Sequence, residues 1–316
     1  MKMRQKGYGA TAAHERGVSY AVGNGFAGAD KADGSVHVVL AADANYAPGL
    51  EVTKKSMLRS CATPERLVFH VFDETALRNL AGVEVFDRFH TSRMTYLRLF
   101  LPELLPEVDW VVYSDVDTIW NRDVCELAGL FDASVSIQWV RDFKSAVWAV
   151  RPWIRKTGLA FDETRYCCAG ISLMNLRKMR PTHLSARAID LVRRCGTPPY
   201  ADQDILNVIY NQDCGFLPDY WDTFRDLPSW RTPAVYHLMC VGRHFHDTVS
   251  PVYPPQYQLW WNVAHGTSAV HPRSRLLAAL WPIRFLVRLL PLSVRERIQR
   301  QMFFAKILVE WAKRPG

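Results

Sequence analysis

Residues 110–117 read Trp110-Val111-Val112-Tyr113-Ser114-Asp115-Val116-Asp117. The β-branched and aromatic run at 110–113 predicts a strand, which then runs into two aspartates one residue apart. In a parallel sheet the residues at the carboxyl ends of strands face the ligand crevice. Alternate residues of an extended segment point the same way, so both carboxylates can meet one cation. The spacing alone is weak evidence, because the chain has 20 aspartates and a second pair at this spacing, Asp202-Gln203-Asp204. A solvated strand-end turn is the plain alternative; what raises Asp115 and Asp117 above it is their place after a strand.

Working outward, residues 36–42 form a β-branched run ending at Asp43, and residues 50–60 have helical spacing. Residues 67–72 read as a second strand, 74–81 as a short helix and 83–86 as another strand. This β-α-β-α-β alternation with short connections predicts a parallel, doubly wound α/β sheet. Residues 92–104 read as a helix ended by Pro106, residues 135–140 and 170–174 as strands, and residues 202–210 as a helix with an acidic cap. Residues 211–265, rich in Pro, Trp, Tyr and His, read as loops and short strands over a site. Residues 1–35 hold seven of the 17 glycines and no apolar periodicity, and are expected to be a flexible leader.

Composition narrows the class. With 316 residues, 49% hydrophobic and 22% charged, the chain is neither disordered, collagenous nor a disulfide scaffold. Residues 1–270 carry 29 charges of each sign, whereas residues 271–316 carry ten basic and two acidic residues and hold the whole net charge of +8. A neutral body with a basic tail argues against a nucleic-acid groove on the fold. In that tail Arg273, Arg275, Arg284 and Arg288 are interleaved with Leu276, Leu280, Trp281, Phe285 and Leu289, and Ser293 with Glu296 has capping-box spacing. Two readings are open, a helix pair packed on the body or basic amphipathic helices lying on an anionic bilayer; the charge favours the second. The seven cysteines are odd in number and make no C-x-x-C pair, so they are expected to be reduced core thiols. No secretory h-region or spanning stretch is present, which predicts a cytoplasmic protein at the inner face of the membrane.

Two further candidates bear on chemistry. Ala41-Ala42-Asp43-Ala44-Asn45-Tyr46 ends the first strand and reads either as a turn or as a set that recognises a base and its ribose. His237, after the strand-like residues 234–236, is either a structural histidine or the imidazole of a mixed oxygen and nitrogen metal set.

These pieces occur in a fixed order with others: Leu40-Ala-Ala-Asp-Ala-Asn-Tyr-Ala47, Thr95-Tyr-Leu-Arg-Leu99, Val112-Tyr-Ser-Asp-Val-Asp-Thr118, Cys168-Ala-Gly-Ile-Ser-Leu-Met-Asn-Leu176, Asp202-Gln-Asp-Ile-Leu-Asn207 and Leu217-Pro-Asp-Tyr-Trp221. The series resembles the retaining, metal-dependent glycosyltransferases of family 8, which include glycogenin and bacterial lipopolysaccharide galactosyl- and glucosyltransferases. It covers roughly residues 36–247. The resemblance implies a GT-A type nucleotide-sugar fold, Rossmann-like and mainly parallel, over 36–265, with the helical membrane-association tail over 266–316.

By the same resemblance Asp115, Val116 and Asp117 match the family's D-x-D, with His237 as third protein ligand for Mn²⁺, or Mg²⁺ as the alternative. Ala41, Asp43, Asn45 and Tyr46 match the uridine-binding positions, and Arg98 an arginine near the donor sugar and phosphates. Ala169 and Gly170 match donor-sugar contacts. Asp202 and Gln203 match the pair at the sugar hydroxyls and reacting face. From their own chemistry, Gln203 and Asp204 are assigned to stabilise a cationic sugar, and Arg243, standing where the family commonly has Lys, to grip a phosphate. Cys168 stands where the family usually has Asn. The implied function is transfer of galactose or glucose from a UDP-sugar to a glycan or glycolipid in surface-glycan synthesis. Two rival readings are an inactive nucleotide-sugar-binding or membrane-surface scaffold and a haloacid-dehalogenase-type phosphatase. The latter wants Thr or Val where Ile119 stands.

Overall fold

The computed structural model describes residues 19–22, 34–78, 80–86, 92–142, 144–223, 233–238, 260 and 262–266. The chain divides into two compact units, Met1–Pro251 and Val252–Gly316. Arg243 and the basic tail at 271–316 lie outside the described residues, and the fold below is that of the first unit.

Its strands are β1 (Ser19–Val22), β2 (Val36–Ala41), β3 (Leu67–Phe72), β4 (Val111–Ser114), β5 (Thr118–Trp120), β6 (Ile137–Arg141), β7 (Cys167–Met174), β8 (Cys214–Phe216) and β9 (Val235–His237). Its α-helices are α1 (Ala47–Ser60), α2 (Glu74–Arg78), α3 (Leu101–Leu104), α4 (Lys144–Thr157), α5 (Leu176–Met179), α6 (Leu184–Cys195) and α7 (Ala201–Tyr210). Seven strands form one sheet in the order β1-β3-β2-β4-β7-β6-β8, and β5 pairs with β9 separately. The first four are parallel, β7 runs antiparallel to β4 and β6, and β8 is parallel to β6.

Both faces of this sheet are covered, and the period of two shows which residue goes where. On one face Val39, Val111, Tyr113, Ile137 and Trp139 join a core roofed by Leu97, Val150, Leu191 and Ile205. On the other face Val38, Leu40, Val112, Ile171 and Leu173 meet Leu50 and Met57 of α1. Burial on both sides explains why β2, β3 and β4 are nearly continuous apolar runs in the sequence.

Three expectations change. Ser19–Val22, inside the expected leader, pairs in parallel with β3 as an edge strand. Residues 83–86 form no strand: Val83–Val85 is a 3₁₀ turn entered through Gly82 at φ 81°, and it packs on the core from outside the sheet. Here packing context overrides β propensity. Residues 92–104 are mostly 3₁₀ helix, Arg93–Phe100, followed by the short α3. Three residues per turn stack Thr95 under Arg98, and Arg98 Nε donates to the Thr95 carbonyl. Of the described cysteines, Cys167, Cys168, Cys195 and Cys214 are buried free thiols as expected, but Cys61 and Cys125 are only half-buried.

One polar pair, a buried His70 against a half-buried His37, spans β2 and β3. His37 Nδ1 lies 2.8 Å from His70 Nε2, with one ring donating and the other accepting. Burial first, and then the neighbouring His37, depress the His70 imidazole to about 3. An unfolded histidine protonates near pH 6.5. Between pH 6.5 and about 3 the unfolded chain therefore binds the extra proton, and stability is lost as pH falls through that window. Urea unfolding at pH 7 and pH 5 should show wild type losing about 2 kcal/mol more than His70→Gln on acidification; equal losses would mean His70 titrates freely in the fold.

Candidate active site

The carboxyl ends of β2 and β4 are neighbours, with Leu40 opposite Ser114. The chain leaves β4 through Asp115, whose backbone N–H donates to the Gly170 carbonyl of β7 at 2.8 Å. It then enters β5, and Thr118 pairs with His237 of β9. Leu238 N–H donates to the Asp117 carbonyl at 2.8 Å, so the small sheet holds His237 against the aspartate turn.

One ligand atom each from Asp115, Asp117 and His237 lie within 4.8 Å of one another. His237 Nε2 is 3.3 Å from Asp117 Oδ1 and 3.8 Å from Asp115 Oδ2. The opposite ring nitrogen, Nδ1, is taken by Asp222 Oδ1 at 2.8 Å. A carboxylate on one imidazole nitrogen turns the other toward a ligand, the usual outer arrangement of a metal-binding histidine. Burial disfavours the charged ring, but the Asp222 and Asp117 carboxylates outweigh it and hold the His237 imidazole well above its ordinary range. The residue is 6% exposed. A Cβ on Gly170 would meet the His237 ring at 2.3 Å, so this glycine is what lets the imidazole lie across β7.

Arg98 joins the other pieces. Its guanidinium is 2% exposed and lies over the Tyr113 ring, 4.0 Å from the centroid. It reaches Asp115 Oδ1 at 2.6 Å and Asp202 Oδ2 at 2.7 Å, and it donates to the Ala169 carbonyl. Burial pushes the Asp115 carboxyl up to about 6, with Arg98 pulling it back down. The buried Asp202 carboxyl is raised by burial in the same way. Arg98 thus stands behind the aspartates and meets the site through them.

Gln203, half-buried on α7, has both amide hydrogens engaged and one lone pair of its oxygen left over. Its Oε1 accepts from Ala169 N–H at 3.1 Å, and its Nε2 donates to Asp142 Oδ2 and to Tyr166 Oη, each at 2.9 Å. Asp204 is buried, accepting from the Tyr166 hydroxyl at 2.6 Å and the Tyr200 N–H at 2.7 Å. Burial pushes its carboxyl up to about 7. The acidic residue that ties down the start of α7 is therefore Asp204, whereas the expected cap, Asp202, is committed to Arg98.

The register between β6 and β7 shifts between Trp139 and Val140, which pair with Ser172 and Cys168. Residues 169–171 are left out of that ladder, and this is where Ala169 meets Arg98 and Gln203, and Gly170 meets Asp115. Below the bulge, Asn207 clamps the Cys167 peptide with two 2.8 Å bonds. Cys168 turns its thiol toward Asp222 and His237, with one ligand atom of each within 4.8 Å of the others.

Asp43, Asn45 and Tyr46 form a separate turn at the end of β2. Asp43 Oδ1 accepts from the N–H groups of Asn45 and Tyr46 at 2.9 and 3.1 Å, while the Asn45 side chain is exposed. Ala41 and Val116 are buried core residues. The sequence does not single out Asp222, Tyr166 or Asp142, and it offers Asn207 only as the end of the Asp202–Asn207 motif. Asp222 follows directly on the Leu217–Trp221 motif, but no spacing rule singles it out.

A mainly parallel sheet with acids gathered at its switch from parallel to antiparallel pairing is the GT-A architecture. It matches the galactosyltransferase LgtC, solved with donor and acceptor sugar analogues, at a TM-score of 0.59 and 23% identity over 76% of this chain and 99% of that one. Residues 86–237 match the model of the family described as glycosyl transferase family 8. That stretch, just under half of the chain, is similar to a family 8 glycosyltransferase domain. Among curated relatives, a Haemophilus influenzae protein named "Putative glycosyltransferase" is 25% identical over 66% of this chain and 68% of its own length. The lipopolysaccharide 1,2-glucosyltransferase of Escherichia coli is 27% identical over 44% of this chain and 40% of its own.

Gly170→Ala should keep the fold while displacing His237. About 100-fold lower turnover is expected from a shift of roughly 1 Å, together with a raised divalent-cation requirement. Cation titrations of turnover beside a thermal melt check both; unchanged cation dependence would detach Gly170 from the histidine.

Proposed function

We propose that this chain is a retaining glycosyltransferase that moves a hexose, galactose or glucose, from a UDP-sugar to a hydroxyl of a glycan or glycolipid in lipopolysaccharide, capsule or related surface-glycan synthesis. The observation that carries the proposal is the convergence of Asp115, Asp117 and His237, one strand away from the Asp43–Asn45–Tyr46 turn. The donor set fits a divalent cation: two carboxylates and an imidazole whose far nitrogen is already bonded. Two hard oxygen donors with one nitrogen suit Mn²⁺ best, with Mg²⁺ as the alternative. Bound there, the cation supplies neutralising charge to a diphosphate leaving an anomeric carbon.

The protein's own groups divide the remaining work. Asp43, Asn45 and Tyr46 are assigned to the uridine and Arg243 to a phosphate. Arg98 opposes the upward pull of burial on the Asp115 and Asp202 carboxyls and holds both in place. Gln203, fixed by Asp142, Tyr166 and the Ala169 N–H, presents an oriented amide to the sugar, and Asp204 supports it through Tyr166. An amide is a poor nucleophile, and Asp202 and Asp204 are buried and engaged. This favours same-face attack in which the departing phosphate takes the acceptor's proton.

A panel of UDP-sugars with Mn²⁺, scored for slow release of UDP, tests the reading without the acceptor. One UDP-hexose should be hydrolysed well above the others. Excess chelator should abolish that release, and Asp117→Ala should reduce it about 100-fold or more with an unchanged melt. Full turnover in chelator, or no UDP from any donor, would overturn it.

The basic residues of 271–316 are assigned to an anionic membrane surface at the cytoplasmic face, where a lipid-linked acceptor would be presented. Among the described residues no helix is long and apolar enough to cross a membrane. Full-length protein should sediment with anionic vesicles at low salt and be released at high salt, and a chain truncated after Val270 should not sediment. Equal behaviour of the two chains would remove the tail from membrane binding.

A further inference from the structure

Away from the aspartate turn, Cys61 and Cys125 form a pair. Cys61 caps the end of α1, and Cys125 lies in the 3₁₀ turn Val124–Leu130 that follows β5. Their sulfurs are 3.8 Å apart. Asp123 completes a group in which one ligand atom from each residue lies within 4.8 Å of the others, all three residues being half-buried. The carboxylate is fixed on both sides, by the Ala62 N–H on Oδ2 and by the Cys125 N–H on Oδ1, each at 2.8 Å. Both thiol-bearing segments are therefore already anchored to the same carboxylate.

The sulfur separation has a chemical reading. Tetrahedral zinc with Zn–S bonds of about 2.3 Å places two thiolate sulfurs roughly 3.8 Å apart. A disulfide needs about 2.05 Å, so the pair would have to close by roughly 1.7 Å to form one. We propose that Cys61, Cys125 and Asp123 form a site for a thiophilic divalent cation of the Zn²⁺ class, with water as its fourth ligand. The site is separate from the Asp115, Asp117 and His237 set, and donor chemistry sorts the two: thiolates select the soft ion, carboxylates the hard one.

Loading the site exchanges protons for metal: two thiols and one M²⁺ give a dithiolate complex and two H⁺. Burial, and then the Asp123 carboxylate, push the Cys61 thiol up to about 12. The bound cation offsets that negative charge, so affinity should increase with pH. The structural consequence lies in what the site ties together. Thr53 Oγ1 on α1 donates to the Thr118 carbonyl at 2.8 Å, and Trp120 N–H donates to Ser56 Oγ at 3.0 Å. The cation would close the far end of this α1–β5 contact, and β5 is the strand that pairs with the His237 strand.

Co²⁺ titration of the reduced full-length chain tests the proposal, because thiolate-bound tetrahedral Co²⁺ gives a sulfur charge-transfer band and intense visible absorption. One equivalent should produce both bands, Zn²⁺ should displace it, and Asp117→Ala should leave the bands intact. Cys61→Ser and Cys125→Ser should abolish the charge-transfer band, and Asp123→Asn should weaken binding about 10-fold. In the unaltered chain, Zn²⁺ should protect Cys61 and Cys125 from alkylation as read by peptide mass spectrometry, so the test survives if a variant fails to fold. Absence of the band, a band that persists without Cys125, or equal alkylation with and without Zn²⁺ would overturn the site. So would a Cys61–Cys125 disulfide in the purified chain that, once reduced, binds no Co²⁺.

Discussion

The arrangement depends on one buried cation. Arg98 is enclosed by β4, β7 and the start of α7, and its guanidinium reaches Asp115, Asp202 and the Ala169 carbonyl. Burying a charge is costly unless it is paired and hydrogen-bonded, and here the planar fork of arginine satisfies three elements at once. A lysine could not, because a point charge on a flexible stem reaches no such set of divergent acceptors. The same pairing works in reverse: burial raises the Asp115 carboxyl, and Arg98 opposes that.

Around this ion pair the site is layered. Asp115 and Asp117 arrive from a strand of the main sheet, His237 from the small β5–β9 ribbon, and Asp222 sets the imidazole from behind. Gln203 arrives from a helix, held by groups of three different segments. Asp115, His237 and Gln203 thus each have a second group fixing their direction, which is what holds reacting groups to within fractions of an ångström.

How much of this was legible in the sequence follows from the physics of each part. Strands β2, β3 and β4 announced themselves because burial on both faces makes them unbroken apolar runs. The aspartate pair was legible because it ends such a run. The 83–85 segment misled because two valines mimic a strand, while the residues that keep it outside the sheet are distant in sequence. The 3₁₀ course of 93–100 has no strong local signature, yet it is what lines Thr95 up with Arg98. Asp222, Tyr166 and Asp142 were invisible for a related reason: a polar residue in a loop or on a helix reads as solvated until the chain closes over it. Arg98 was singled out only as a member of an ordered motif, and its burial beneath the aspartates could not be read from that motif.

The bulge between β6 and β7 also limits how this chain can vary. Three residues, 169–171, are released from the β6 ladder: Ala169 turns to Arg98 and Gln203, Gly170 to Asp115, and Ile171 stays paired with Ser114 of β4. A substitution there changes a contact, but the loss or gain of one residue would rotate every following side chain of β7 to the opposite face. Ile171 and Leu173 would then leave one core for the other while Ser172 entered it. Length between Cys168 and Ser172 is therefore a stricter constraint on this chain than identity, and the stretch behaves as a fixed-count spacer.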